Sequence, residues 1–535
     1  MESALELFTM KPRIKTVFFL LLIGVAAAPR LYARERSVFL QDVEFRGRTY
    51  SLDAVFRPGQ ADLRLRGKAE INLSAGMPGE NLLLGVRSGN NSFYVFWLNY
   101  DQKRIRLAYY DHGRQRSFQL PWQGFSAIGF PEIIEKDGQL NALLFLGDRT
   151  GNDDLFYLEP GSGVLAQLTD TPFSEKNFSW QEKDGALEIE TSHLRGGCRY
   201  RFDTGSRQST LLHEEKTTTW RKKNTAAYRP EYYNTYIGFG DSITEGQIEG
   251  VVQPELCFLT QMRDIYLPLI YGPATPINLG IGGTQTHEGA ERVNSDLDQN
   301  PAFYFLLFYG VNDVWRFGFS LASSMESIEF MVDAALARDM RVIVTSLTPR
   351  KDFLSQYQYY WDQLYALSAA ILQMAGEKGI AGIDTLDAFM KTDPPNGWKT
   401  LLETIIPGVS KGNHPNAAGH SLIAGLFANA LAQFPPLPPE SVTVIDPQNK
   451  LSRTASWNIS NESDFSHFHI EFGFQPQALD YGMDTAASFC TLHLFPFLPQ
   501  LYFRVQTVDK GNRRSGFSLP VSSVPPTRQR LFENK

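Results

Sequence analysis

The sequence is poor in cysteine, with only Cys198, Cys257 and Cys490 among 535 residues. Each lies in a segment of different pattern, so none has an obvious partner within its own domain. We therefore expect three separate buried thiols and a fold that does not depend on disulfide bonds. Cysteine, histidine and carboxylate residues nowhere show metal-ligand spacing, so the sequence predicts neither a metal site nor another cofactor.

Positive charge is also scarce. Lysine and arginine number 51 against 58 acidic residues, a formal net charge of −7, and no basic run stands out. Such a chain has no electrostatic attraction to nucleic acid or to an anionic membrane surface, so we predict no nucleic-acid partner. Its length exceeds what one hydrophobic core organises, which indicates several domains.

Near the N-terminus there is no apolar run long enough to span a membrane. The run from Val17 to Ala28 falls short of the ~20 residues that a spanning helix needs. Basic residues precede it and the small-residue exit Leu31-Tyr32-Ala33 follows it. This pattern predicts a signal peptide over residues 1–33 and an exported protein, periplasmic, cell-surface or secreted. Met10 is an alternative start to Met1, because acidic residues between them suit a signal peptide poorly.

Residues 37–215 alternate apolar and polar positions between Gly, Asp and Asn turns, which predicts an all-β domain. The stretch from Ile133 is similar to the one from Trp180, a spacing of about 45 residues that is typical of a four-stranded propeller blade. The segment weakly resembles WD40-like propeller repeats. A propeller-like domain and a β-sandwich both remain open.

Beyond a polar, basic linker at residues 216–230, apolar strands alternate with helical stretches over residues 231–435. Buried strands separated by amphipathic helices predict a parallel sheet with helices on both faces. The last segment, residues 440–526, is again β and resembles a fibronectin type III domain. In that family an early Trp and a late Tyr, here Trp457 and Tyr502, pack between two sheets.

Four short motifs in the central region carry the residues of ester chemistry. They are Gly240-Asp241-Ser242, Asn278-Leu279-Gly280-Ile281-Gly282-Gly283, Gly310-Val311-Asn312-Asp313 and His414-Pro415-Asn416. The first three follow predicted strands, and ligands of open parallel sheets bind where the carboxyl ends of strands meet. A serine hydroxyl becomes a nucleophile when a base removes its proton, and histidine does so near neutral pH. The motifs predict Ser242 as nucleophile and His414 as base.

Together and in this order, the motifs resemble those of the SGNH (GDSL) hydrolase family. The resemblance implies a central α/β/α three-layer sandwich of the flavodoxin-like type, within a multidomain chain flanked by the N-terminal all-β domain and the C-terminal β-sandwich. It also implies a serine esterase whose oxyanion hole is formed by the backbone N–H groups of Ser242 and Gly283 and the side-chain amide of Asn312.

One position departs from the family pattern. The family places an Asp three residues before the histidine, where this sequence has Lys411. Three alternatives follow: a carboxylate from elsewhere, a backbone carbonyl that orients His414, or an inactive domain. The candidate carboxylates in the preceding stretch are Asp384, Asp387, Asp393 and Glu403.

The function indicated is an exported carboxylic-ester hydrolase that forms an acyl-enzyme on Ser242, acting on a carbohydrate O-acetyl ester. A lysophospholipase-type lipid esterase is the alternative substrate class. A catalytically degenerate SGNH scaffold that acts as a surface binding protein is the alternative without chemistry. Expected partners are a small-molecule or polysaccharide ester, with carbohydrate or cell-surface contact through the β domains.

Overall fold

The computed structural model describes most of the chain from residue 36 to residue 522. The described residues are 36–120, 124–149, 151–194, 196–216, 235–267, 274–316, 320–392, 397–405, 412–431, 433–434, 439, 442–445, 452–458, 465–476, 478–493, 501–510, 515, 517–518 and 520–522. The predicted signal peptide, most of the predicted linker and Lys411 lie outside these ranges. Among the described residues, no helix is long and apolar enough to cross a membrane.

The chain divides into two compact units. The first contains the N-terminal residues up to Thr219 together with two segments of the central region, Gly310–Ser327 and Arg350–Leu367. The second contains the rest of the central region and the C-terminal segment.

The described N-terminal residues form four successive antiparallel meanders of four strands each. The first two share one sheet through a parallel pairing of Ala61 with Glu80, and the third and fourth are separate sheets. The strands are β1 (Arg36–Phe45), β2 (Arg48–Arg57), β3 (Gln60–Arg66), β4 (Glu70–Asn72), β5 (Glu80–Ser88), β6 (Phe93–Asp101), β7 (Arg104–Asp111), β8 (Arg116–Gln119), β9 (Ala127–Lys136), β10 (Gln139–Asp148), β11 (Asp153–Glu159), β12 (Val164–Gln167), β13 (Asn177–Lys183), β14 (Ala186–His193), β15 (Gly196–Asp203) and β16 (Gln208–Lys216).

The two similar stretches of sequence correspond to the third and fourth meanders. Each begins with a hairpin whose turn is Asp-Gly, Asp137-Gly138 and Asp184-Gly185, with all four residues at positive φ. That conformation is the two-residue turn that matches strand twist, and Asp-Gly favours it. Apolar side chains of these two meanders, among them Leu144 in β10, pack into one shared core.

The central region contains a parallel sheet of five strands in the order β20-β17-β21-β22-β23. This confirms the predicted parallel sheet. The elements are β17 (Thr235–Gly240), α1 (Ser242–Glu245), β18 (Gln247–Ile248), β19 (Val251–Val252), α2 (Phe258–Gln261), β20 (Thr275–Gly280), α3 (Thr286–Gln299), β21 (Tyr304–Phe308), α4 (Val311–Arg316), α5 (Leu321–Leu336), β22 (Arg341–Thr345), α6 (Gln358–Lys378), β23 (Ala381–Ile383), α7 (Thr385–Met390) and α8 (Ala417–Leu431). A π-helical turn, Met262–Tyr266, continues α2, and two 3₁₀ turns cover Phe353–Gln356 and Gly397–Leu401.

The described C-terminal residues form two antiparallel sheets, β24-β25-β28 and β27-β26-β29-β30. Their strands are β24 (Thr443–Ile445), β25 (Ser452–Ser456), β26 (Phe465–Gly473), β27 (Tyr481–Thr485), β28 (Phe489–His493), β29 (Tyr502–Asp509) and β30 (Val521–Ser522). Trp457 is buried in their common core as expected, but Tyr502 is not; the core position belongs to Phe503. Side chains alternate along β29, so the residue next to Tyr502 faces inward.

Within the first unit, the N-terminal strands hold the two central segments through buried polar contacts. Lys176, 2% exposed, donates to the carbonyl and hydroxyl of Ser323 at 2.9 and 2.5 Å and pairs with Glu326 at 3.2 Å. Asp153 accepts the backbone N–H of Ser320, the residue before α5, at 3.0 Å. These contacts anchor the first turns of α5.

The beginning of α6 is held in the same way. The carboxylate of Glu80 accepts the backbone N–H groups of Gln358 and Tyr359 at 2.7 and 3.0 Å. The first N–H groups of a helix have no partner within it, and a carboxylate there also complements the helix dipole. Glu80 therefore caps α6 although it is distant in sequence.

Lys176→Met is expected to destabilise the first unit by about 3 kcal/mol, because the Glu326 carboxylate and the Ser323 oxygens lose the buried ammonium that they contact. Lys183→Met is the matched control, since the Lys183 side chain is 58% exposed where it pairs with Glu188 and an exposed pair contributes at most about 1 kcal/mol. Urea unfolding of the full chain measures both. Equal unfolding midpoints for the two variants would contradict the assigned role of Lys176.

Candidate active site

Ser242 lies at the carboxyl end of β17, where the chain turns into the short helix α1. Asp241 precedes it in extended conformation, and its carboxylate accepts the backbone N–H of Ile243 at 3.0 Å. Aspartate is favoured at this capping position because its oxygen satisfies an N–H that the helix leaves unpaired. The cap fixes the backbone on both sides of Ser242.

Glycine is required at two strand ends beside Ser242. A Cβ on Gly240 would lie 2.1 Å from Thr244 Oγ1 and 2.3 Å from the carbonyl oxygen of Phe308. A Cβ on Gly280 would lie 2.1 Å from the backbone nitrogen of Glu245. The helix that carries Ser242 therefore packs directly on the ends of β17 and β20, and only glycine permits this approach.

His414 precedes α8 and is held by an antiparallel bridge to the segment that follows the 3₁₀ turn. Leu402 pairs with Pro415, and the backbone N–H of Glu403 donates to the carbonyl of His414 at 3.0 Å. Asn416 donates its side-chain amide to the carbonyl of Thr400 at 2.7 Å. Its side-chain oxygen accepts N–H groups from the first turn of α8. The His-Pro-Asn motif therefore ties His414 both to the 3₁₀ turn with the segment that follows it and to the first turn of α8.

The structure brings Ser242 and His414 together and adds Glu403 to them. Ser242 Oγ and His414 Nε2 are 2.9 Å apart, and His414 Nδ1 is 3.3 Å from Glu403 Oε1. The Glu403 side chain is fully buried and that of His414 is 12% exposed. The same Oε1 accepts the backbone N–H of Glu249, in the turn between β18 and β19. Hydroxyl, imidazole and carboxylate therefore form one continuous chain of polar contacts.

Glu403 was one of four candidate carboxylates, and the structure separates it from the others. Asp384 caps α7 and accepts the hydroxyl of Ser346 at 3.0 Å, while Asp387 pairs with Lys391. Asp393 and Lys411 lie outside the described residues. The signal for Glu403 was present in the sequence: it is a single carboxylate within the apolar run Leu401-Leu402-Glu403-Thr404-Ile405-Ile406, where an unpaired charge would be costly.

Gly283 lies in a tight turn between β20 and α3. Its φ of 77° is in the left-handed region that favours glycine. The turn is tied to the end of β17, because the N–H of Ile281 donates to the carbonyl of Gly240 at 3.0 Å. Asn312 lies in α4 and is buried. The next residue, Asp313, accepts the hydroxyl of Ser324 at 3.2 Å, which connects α4 to the anchored helix α5. Asn312 belongs to the first compact unit.

A second histidine lies near this line, but its surroundings keep it neutral. His420, in α8, is fully buried and stacks on Phe258. Burial, with a smaller contribution from the nearby His414, lowers the pKa of His420 to about 3. His420 therefore fills space as an uncharged ring. Among the described residues no group of histidine, cysteine and carboxylate side chains could hold a metal ion, and all three cysteines are free and buried.

Comparison with known proteins identifies the central region. Residues 239–422 match the model of the GDSL-like Lipase/Acylhydrolase family. This part of the chain therefore carries a GDSL-like hydrolase domain, which confirms the resemblance to the SGNH family. No curated protein matches the chain.

Several solved structures are similar to it. A lipase/acylhydrolase from Enterococcus faecalis is 20% identical, with 37% of this chain and 95% of that chain covered and a TM-score of 0.33. An acetyl-xylooligosaccharide esterase variant from Geobacillus Stearmophilus is 19% identical, with 38% and 94% covered and a TM-score of 0.31. The psychrotrophic esterase EstA from Pseudoalteromonas sp. is 18% identical, with 37% and 96% covered and a TM-score of 0.29.

Glu403→Gln is expected to lower kcat by about 10² to 10⁴, because an uncharged amide neither stabilises imidazolium nor fixes its tautomer. KM is expected to change little, since Glu403 lies behind the histidine. The control is Asp387→Asn, which removes a partly exposed carboxylate paired with Lys391. Steady-state kinetics on a chromogenic ester measure both variants. Unchanged kcat in Glu403→Gln would show that His414 is oriented by another group.

Proposed function

We propose that this protein is an exported carboxylic-ester hydrolase that acts through an acyl-enzyme on Ser242. The observation that carries the proposal is the line from Ser242 Oγ through His414 to the buried Glu403 carboxylate, with distances of 2.9 and 3.3 Å. A serine that faces an imidazole backed by a carboxylate has the arrangement of an activated nucleophile.

The reaction proceeds in two halves. His414 Nε2 takes the hydroxyl proton while Ser242 Oγ bonds to the ester carbonyl carbon, giving a tetrahedral oxyanion. When the carbon–oxygen bond to the alcohol breaks, the imidazolium returns its proton to the leaving oxygen, and the acyl group stays on Ser242. Water then attacks the acyl-enzyme by the same proton route and releases the carboxylic acid. Glu403 stabilises the imidazolium in both halves.

The oxyanion requires donors that are fixed before the reaction. By the motif order, these donors are the backbone N–H groups of Ser242 and Gly283 and the side-chain amide of Asn312. One such donor contributes about 3 kcal/mol to transition-state stabilisation. The tight turn at Gly283, in the same compact unit as Ser242, supports a donor of fixed position there.

The substrate class we propose is an O-acetylated carbohydrate. Support comes from the two β regions that accompany the hydrolase domain, the four N-terminal meanders and the two-sheet C-terminal segment. Such modules suit a polymer or cell-surface ligand outside the cell, an argument by analogy of architecture. The chemistry of Ser242 is common to every ester class.

A lipid-type ester is the second candidate, and one observation favours it. Apolar side chains close in sequence to the reacting groups are exposed: Val251 (57%), Val252 (46%), Ile281 (45%) and Ile405 (49%). Ile405 is two residues from Glu403, and Val251 is two residues from Glu249, whose N–H binds that carboxylate. An apolar rim of this kind would lower the free energy of a long acyl chain.

Ser242→Ala is expected to lower kcat for p-nitrophenyl acetate by about 10⁶, because no acyl-enzyme can form without the serine hydroxyl. A fluorophosphonate probe is expected to label the unaltered protein at Ser242 alone. Ser295→Ala on α3 is the control. If the folded protein is inactive and remains unlabelled, the domain is a binding scaffold and the proposed chemistry is wrong.

The acyl-chain preference distinguishes the two substrate classes. For a carbohydrate O-acetyl esterase, kcat/KM on p-nitrophenyl esters is expected to be highest for acetate and to fall by about tenfold or more by octanoate. For a lipid-type esterase the order reverses, and kcat/KM is expected to be higher for octanoate than for acetate, since each buried CH₂ contributes about 0.8 kcal/mol. The double variant Ile281→Ser, Val251→Ser is then expected to remove this preference for octanoate. If kcat/KM does not vary with acyl-chain length and the double variant leaves it unchanged, the apolar rim does not bind the acyl chain.

A further inference from the structure

The ends of the strands around Ser242 are joined by one guanidinium group. Arg292 lies in α3, and its Nη2 donates to the carbonyl of Leu279 at 2.7 Å and to the carbonyl of Gly240 at 3.3 Å. Leu279 is in β20, before the turn of Gly283. Gly240 ends β17, two residues before Ser242. One side chain therefore bonds the backbone that leads to the nucleophile and the backbone that leads to the predicted oxyanion donor.

The same nitrogen reaches the end of a third strand. Arg292 Nη2 is 3.1 Å from the hydroxyl of Tyr309, the residue after β21. That hydroxyl is also 2.8 Å from Thr284 Oγ1, and Thr284 Oγ1 donates to the carbonyl of Ile281 at 2.7 Å. The turn that contains Gly283 is thus held from both of its ends, through Leu279 before it and through Thr284 after it.

The guanidinium is itself held in place. Its other terminal nitrogen pairs with Asp296, one helical turn further along α3, at 2.5 Å. Its carbon lies 4.0 Å from the centroid of the Phe239 ring, a distance typical of a cation–π contact. The planar fork of arginine satisfies several acceptors in one orientation, whereas a lysine ammonium lacks the fixed geometry and the stacking plane.

We propose that Arg292 is a positioning residue for ester hydrolysis, which sets the turn of Gly283 against the backbone of Ser242. It touches no reacting atom. The inference rests on the proposed function, because it assigns a consequence to the oxyanion donors of that mechanism. It adds a residue that lies outside the four sequence motifs.

A donor that is displaced by a fraction of an ångström still permits substrate binding but stabilises the developing oxyanion less. Loss of Arg292 is therefore expected to act on kcat. We expect Arg292→Met to lower kcat by about 10² with KM changed by about twofold or less, since one oxyanion donor contributes 10² to 10³ in rate. Arg292→Lys is expected to be intermediate. The rate of labelling by a fluorophosphonate, whose phosphoryl oxygen occupies the oxyanion position, is expected to fall in parallel.

Arg338→Met is the matched control. Arg338 lies in the turn two residues after the end of α5, its side chain has the same 17% exposure as that of Arg292, and it also pairs with an aspartate and donates to backbone carbonyls. Those carbonyls belong to helices and not to strand ends near Ser242. If Arg292 served stability alone, Arg292→Met and Arg338→Met would show similar losses of activity for similar falls in melting temperature.

Chemical rescue separates positioning from general weakening of the fold. Millimolar methylguanidinium is expected to raise the kcat of Arg292→Ala by at least about tenfold, because the cation can occupy the place of the missing guanidinium. It is expected to leave Arg338→Ala unchanged. Assays are made well below the melting temperature of each variant, which thermal unfolding establishes first.

The outcomes distinguish this inference from the function on which it rests. If Ser242→Ala retains activity, the proposed function is wrong. If Ser242→Ala is inactive while Arg292→Met keeps the kcat of the Arg338→Met control, the function stands and the role of Arg292 is wrong. A rise in KM without a fall in kcat, or rescue of neither alanine variant, would also contradict positioning.

Discussion

The chemistry proposed for this protein depends on one buried carboxylate held against an imidazole. Glu403 is removed from water, and a charge in that environment is stable only with partners of good geometry. His414 Nδ1 and the backbone N–H of Glu249 face the same oxygen. The bridge that pairs Leu402 with Pro415 brings the carboxylate and the imidazole to the same place. Thus a backbone pairing of a few residues determines the orientation of His414 toward Ser242.

Part of the hydrolase region shares a compact unit with the N-terminal strands. Two of its segments, Gly310–Ser327 and Arg350–Leu367, belong to the same compact unit as the four meanders. Lys176 and Glu80 supply buried charge to the first turns of two of its helices. The N-terminal region therefore completes helices of the central region, in addition to any ligand that it binds.

Much of the fold was predictable because its signals are local. The parallel sheet follows from continuous apolar strands between helical stretches, and the repeated hairpins follow from Asp-Gly turns that adopt positive φ. Two features were not predictable. β23 has three residues, too few for a periodic pattern. The choice of Phe503 over Tyr502 as the core residue depends on one step of strand register, which a sequence does not specify by itself.

The sequence by itself indicated the candidate nucleophile, the candidate base and the strand-end glycines, because these residues occur in short motifs whose geometry is local. Tertiary structure alone decided the acid. Glu403 lies among apolar residues, at a place in the chain where no spacing rule relates it to His414, and three other candidate carboxylates lie in the same preceding stretch. Its selection required a long-range backbone pairing, and the three strand ends joined by Arg292 required the assembled sheet. Contacts of that kind depend on how distant segments meet, which local pattern does not encode.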